Sequence, residues 1–266
     1  MTIEQIDRPQ RKWETKELLR SAQVSPMGMT ALYMGLLILL GLVSSIADSG
    51  FTGIFISIFT SLLGTVLGAG FVLYCMAIRR GERTEYLTLF DGFSFVGRLI
   101  LLDILTSLFV FFWTLLFIIP GFVAAYRYRF ARFNLYENPG IGVLEALEMS
   151  KRQTYGYKFQ LFTLDLSYLG WTLTALLPVL LLNAAINYQL IMRIYTGGPP
   201  VPTDSFWGVP MIVWNLALGL WQLAVSLFYL PELTCVELSY FETAKNGLSN
   251  ANPTPWDGWT PPDGLG

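Results

Sequence analysis

Residues 99–137 constrain this chain more than any other stretch. The run LILLDILTSLFVFFWTLLFIIPGFVAAYRYRFARFNLYE is apolar from 99 to 119 except for Asp103, turns at Pro120-Gly121, and returns through Arg127, Arg129 and Arg132. An apolar run of that length spans the roughly 30 Å of hydrocarbon in a bilayer. Charges at membrane depth are expensive unless paired or wetted. The stretch therefore reads as a helical hairpin in a membrane, with arginines on the return arm that need partners.

Composition agrees. The chain is 53% hydrophobic and 14% charged, against about 25% charge in an ordinary soluble domain. Its net charge of −2 gives no global basic footprint, which excludes nucleic acid as a partner. There is no histidine, so the commonest general base and the commonest metal ligand are both missing. Cys75 and Cys235 are too far apart for a CxxC motif and read as two small buried hydrophobes. Neither a phosphate loop of the GxxxxGK[ST] form nor a GxSxG elbow is present. Asp103, Asp165, Glu232 and Glu237 are the candidates for intramembrane acid–base or cation chemistry. With no nucleophile or metal motif beside them, the expectation is a protein that is not an enzyme and uses no cofactor.

The whole chain reads as all-α, a polytopic membrane helical bundle. Residues 1–28 form an amphipathic N-terminal segment with a helix over 13–23; Lys12, Lys16 and Arg20 make one basic stripe, either touching anionic lipid or serving as a solvated face that sets topology. The first span, 30–47, acts as an uncleaved anchor, and Asp48-Ser49-Gly50 turns into a second span, 51–78, which carries Gly64-x-x-x-Gly68 and Gly70. In the polar loop 79–98, Tyr86, Leu89, Phe90 and Phe93 share one helical face, at the membrane interface or under the bundle. After the hairpin and an Asn138-Pro139-Gly140 turn, residues 142–155 form a second amphipathic helix, with Val143, Leu144 and Leu147 opposite Glu145, Glu148 and Arg152. A span at 159–182 holds Asp165; a Gly/Pro-rich connection covers 183–210. The last span starts near 211 and kinks at Pro231, and the tail, 246–266, reads as disordered.

Basic residues set the orientation. They cluster before the first span, in loop 79–98 and around 151–158, while the opposite loops hold only Arg193. The positive-inside rule then requires two crossings between Arg98 and Lys151, supplied by the hairpin. The reading is six spans over a membrane domain at 29–245, with both termini cytoplasmic. Gly28, Gly97 and Gly156 each follow a short helix and precede a pair of spans, so the spans form three helix-plus-hairpin units.

Depth assigns partners to the buried charges. At 1.5 Å per residue, Asp103 and Arg132 each lie about 7 Å in, Asp165 about 10 Å and Arg129 about 12 Å. The expected pairs are Arg132 with Asp103 and Arg129 with Asp165; Arg127 points elsewhere, and Glu232 and Glu237 are further candidates. The alternative is that each arginine snorkels alone to the headgroups.

The motifs LFDGF at 89–93, LLFIIPGFVAAYRYRFA at 115–131, ENP at 137–139, EALEMSKRQTYGYKFQLF at 145–162 and LSYLGW at 166–171 resemble a bacterial integral membrane family, domain of unknown function nine hundred seventy-five. That family is distantly similar to the membrane domain found beside some glycerophosphodiester phosphodiesterases. The resemblance implies a multi-span protein of the bacterial cytoplasmic membrane and supplies no reaction. The chain departs from the family pattern in its 183–210 insertion and in Asp165. Two functional classes follow: a structural or accessory protein engaging membrane lipid or a membrane protein partner, or a permease-like protein moving a small solute or ion through a charged interior.

Overall fold

In the computed structural model of this chain, the described residues are 5–46, 50–197 and 205–251. The turn expected at Asp48-Ser49, part of the Gly/Pro-rich connection and the tail from 252 onward lie outside them. Nearly everything described is α-helical. The order is α1 (Arg8–Arg20), α2 (Pro26–Ile46), α3 (Phe51–Arg80), a 3-10 helix (Tyr86–Phe95), α4 (Val96–Leu116), α5 (Ile118–Arg127), α6 (Ala131–Glu137), α7 (Val143–Gln153), α8 (Lys158–Thr196), a small hairpin of β1 (Ser205–Phe206) and β2 (Val209–Pro210), and α9 (Met211–Ala251). Among the described residues, five helices are long and apolar enough to cross a membrane: Pro26–Ser45, Phe51–Arg80, Tyr86–Leu116, Lys158–Thr196 and Met211–Leu248. This is a multi-pass membrane protein. A short helix precedes a pair of longer segments three times over: α1 before α2 and α3, the 3-10 helix before α4 and its return arm, α7 before α8 and α9.

The return arm, expected as the fourth of six spans, is not one helix. The chain turns at Phe117, which is extended at φ −159° and ψ 147°, three residues before the expected break at Pro120. Pro120 instead sits in the first turn of α5, where its missing N–H leaves no hydrogen bond unmade. Gly121 closes the turn, because a Cβ there would come within 2.1 Å of Thr114 Oγ1. The arm then breaks again between α5 and α6, at residues 128–130. Neither piece alone reaches across about 30 Å of hydrocarbon.

The chain divides into two compact units. One takes residues 14–96 and 165–235. Here the 3-10 helix packs backbone to backbone on α3: a Cβ on Gly70 would lie 1.8 Å from the Leu89 carbonyl oxygen, and one on Gly92 would lie 2.5 Å from that of Val66. Gly64 and Gly68, expected as the close-packing pair, make only ordinary contacts with Leu37 and Tyr33 on α2. The 3-10 helix turns every three residues rather than every 3.6, so its buried face is Leu89, Gly92 and Phe95. Tyr86, Phe90 and Phe93 are exposed, so Leu89 does not share their face as expected. Cys75 and Cys235 are fully buried.

Also in this unit, α8 runs on to Thr196 through residues expected as irregular connection. No Gly or Pro interrupts 183–196, and Gly197, at φ 64°, ends the helix. Pro178 lies inside α8 and cannot offer an N–H to the Thr174 carbonyl; the indole Nε1–H of Trp221 donates to that oxygen instead, at 2.9 Å. The β-hairpin turns through Trp207 and Gly208, both at positive φ, as the two-residue turns that match strand twist require.

The other unit takes its described residues from 5–13, 97–164 and 236–251. Its N-terminal stretch lies along α8 and α9: the Ile6 amide donates to Gln160 Oε1 at 3.2 Å, Arg8 to the Thr163 carbonyl at 3.0 Å and Arg11 to Thr243 Oγ1 at 3.5 Å. α7 buries Val143, Ala146, Leu147, Ser150 and Gln153. Leu144, expected on that face, points outward. Arg98, at the foot of α4, donates to the Pro139 carbonyl in the turn before α7.

Candidate functional site

The polar groups of the second unit converge on α6 and the turn before it. Arg129 lies in that turn. Its Nε donates to Glu237 Oε1 on α9 at 2.6 Å, and its guanidinium sits 5.6 Å from the Tyr126 ring centroid. Both side chains of the pair are largely buried, at 22% and 15% exposure. Arg132, on α6, donates to Asp103 Oδ1 on α4 at 2.8 Å. Glu137, at the end of α6, accepts from Lys245 Nζ on α9 at 2.7 Å.

Two of these contacts share a register with an aromatic one. Arg129 meets Glu237 and Glu137 meets Lys245, each across 108 residues. Midway, the ring of Phe133 meets that of Phe241 edge-on at 5.6 Å. Contacts at every fourth residue of both segments define two chains running parallel, α6 and the last turns of α9. The charge order is complementary, base then acid on the arm and acid then base on α9.

The opposite side of α6 is held by uncharged groups. Asn134 and Gln153 exchange two amide hydrogen bonds, both at 2.8 Å and fully buried. Ser150 Oγ accepts from the Phe130 amide at 3.1 Å and donates to the Arg127 carbonyl at 2.9 Å. Thr154 Oγ1 lies 3.2 Å from that same carbonyl. A buried amide pair is costly when only one partner is present, so Asn134 and Gln153 specify how α6 sits on α7.

The structure thus brings Asp103 and Arg132 together and joins Arg129 to Glu237. Taken as one helix, the arm would put Arg129 and Arg132 on a common face. The break at 128–130 takes in Arg129, whose Nε reaches Glu237 on α9. Asp165 is half-buried on α8. The Arg127 guanidinium lies 5.9 Å from the Tyr128 ring centroid. Sequence reasoning missed Lys245 and the Asn134–Gln153 pair. The spacing of four from Glu237 through Phe241 to Lys245, matched by Arg129, Phe133 and Glu137, was the available signal.

Glu232 belongs to the other unit. Its Oε1 accepts from the buried Tyr168 hydroxyl at 2.7 Å, and its Oε2 lies 3.6 Å from Lys16 Nζ on α1.

No group of three or more potential metal-binding side chains is found among the described residues. Residues 115–246 match the model of a family described as "Protein of unknown function (DUF975)". No curated protein and no solved structure matches the chain. The expected likeness to the membrane domain beside glycerophosphodiester phosphodiesterases is not among these matches.

Proposed function

Since over residues 115–246 the chain belongs to that family of unknown function, which lends it no reaction, we propose from its geometry a non-catalytic membrane protein of the bacterial cytoplasmic membrane, engaging lipid or a membrane protein partner. The observation that carries this reading is how the intramembrane charges are spent. Asp103, Glu237 and Glu137 each hold a basic partner between separate helices. Acids that serve catalysis converge on a reactant-sized space; these acids tie separate segments together. Both termini lie on the cytoplasmic side, which the distribution of basic residues supports.

The test is turnover. Purified protein in vesicles of mixed phospholipid should release no headgroup, fatty acid or phosphodiester product above background. Product formation that is lost on Asp103→Asn or Asp165→Asn would overturn the reading.

A permease-like role draws on a different feature. Ser44, Ser45, Asn215 and Gln222 line a cavity of about 490 Å³ between α2, α8 and α9, in otherwise apolar spans. Substrate-loaded proteoliposomes whose contents exchange faster than protein-free vesicles, and more slowly with Gln222→Leu, would favour it.

A further inference from the structure

A second cavity, of about 510 Å³, opens where α1 ends, α2 begins and α9 passes Pro231. Its volume falls in the range of small-molecule sites. It lies at the end of a membrane span by two measures. The apolar stretch of α2 begins at Pro26. Along α9, Glu232 stands about 32 Å from Met211, roughly one hydrocarbon thickness.

The lining carries both signs of charge. Lys16 and Arg20 supply cations on one side, and Glu232 supplies a carboxylate on the other. Lys16 and Glu232 face each other at 3.6 Å, a loose pair with room for competing partners. Tyr168 holds Glu232 in place through its Oε1. Pro231, inside α9, has no N–H to offer the Leu227 carbonyl four residues back, and both residues line the cavity. Met27 and Phe228, 56% and 63% exposed, give the cavity an apolar flank.

Resting on the lipid-engaging reading above, we propose that this cavity binds a phospholipid with a primary-amine headgroup, of the phosphatidylethanolamine type. The phosphate diester meets Lys16 and Arg20, charge-assisted donors suited to phosphate oxygens. The ammonium has three N–H donors and meets the Glu232 carboxylate and the Leu227 carbonyl. The acyl chains follow Met27 and Phe228. A choline headgroup keeps the charges but has no N–H to donate, and a glycerol headgroup brings no cation to Glu232.

The experiment reconstitutes the full-length protein in nanodiscs with equal phosphatidylethanolamine, phosphatidylcholine and phosphatidylglycerol, re-extracts it in mild detergent and counts retained lipids by native mass spectrometry. Phosphatidylethanolamine should be retained roughly tenfold over phosphatidylcholine, the ratio expected from one charge-assisted hydrogen bond. Glu232→Gln should bring that ratio near one, and Tyr168 can still donate to the new amide oxygen. Pro231→Ala, which restores an N–H to the Leu227 carbonyl without changing charge, should lower it too. The double variant Lys16→Gln/Arg20→Gln should reduce retention of all three lipids. Equal retention by the native protein, preference for phosphatidylglycerol, or a preference surviving both Glu232→Gln and Pro231→Ala would overturn the proposal. Conversion of the retained lipid would instead defeat the non-catalytic reading and leave the binding site standing.

Discussion

Trp221 supplies the hydrogen bond that Pro178 withholds: its indole N–H reaches the Thr174 carbonyl at 2.9 Å, across from α9 to α8. In a span, a backbone carbonyl without a donor has no water to turn to. Trp221→Phe should therefore destabilise the protein by about 1–3 kcal/mol. In a Pro178→Ala background, residue 178 recovers its N–H and the same substitution should cost markedly less. Thermal unfolding of the four proteins in detergent checks the coupling; equal losses in both backgrounds would mean the indole contact is incidental.

Gly70 and Gly92 make the 3-10 helix possible where it is. Gly70→Ala puts a methyl group into the Leu89 backbone, and the two segments must separate. The expected outcome is loss of monodisperse protein on size-exclusion chromatography, whereas Gly64→Ala and Gly68→Ala, with contacts at 3.4 Å, should purify normally. A Gly70→Ala protein that behaves like the native one would contradict the backbone contact.

The pitch of the segment at 86–95 is itself measurable. In a background with Cys75 and Cys235 replaced, single cysteines at 87, 90 and 93 should react with a water-soluble maleimide, and those at 89 and 95 should resist. This three-residue period follows the exposure of Leu87, Phe90 and Phe93 and the burial of Leu89, Gly92 and Phe95. A period of 3.6 would mean an α-helix there.

The places of the five long apolar helices could be read directly from the chain, as could the level shared by Asp103 and Arg132, because hydrocarbon thickness and helix rise are fixed quantities. The contact of Arg129 with Glu237 could not. Nothing in the residues AYRYRFA at 125–131 breaks a helix by itself; the break comes from tertiary contacts, with Ser150 and Thr154 at the Arg127 carbonyl and Ser150 at the Phe130 amide. The pitch of the 86–95 segment was missed for a related reason. Apolar residues at 86, 89, 90 and 93 suit an α-helix, but two glycines permitting backbone contact favour the tighter coil. The continuation of α8 to Thr196 was legible, since 183–196 lacks Gly and Pro, but the Pro-rich residues beyond drew the whole stretch into one connection.

Topology has a separate test. Reporter fusions at the C-terminus and at Gly121 should report opposite sides of the membrane. A common side would mean that the hairpin of α4 and its return arm enters and leaves without crossing.

The account turns on the claim that the buried charges are ties between helices, and Arg129 with Glu237 is the pair that tests it best. It is the most buried of the three interhelical pairs around α6, and stranding one charge of a buried pair costs roughly 3–5 kcal/mol. The measurement is the folded yield and melting temperature of Arg129→Glu, Glu237→Arg and the double exchange, in the same detergent. The account predicts that each single reversal collapses the yield and that the exchange recovers a substantial part of it. Single variants that fold like the native protein, or a double exchange no better than either single, would contradict it.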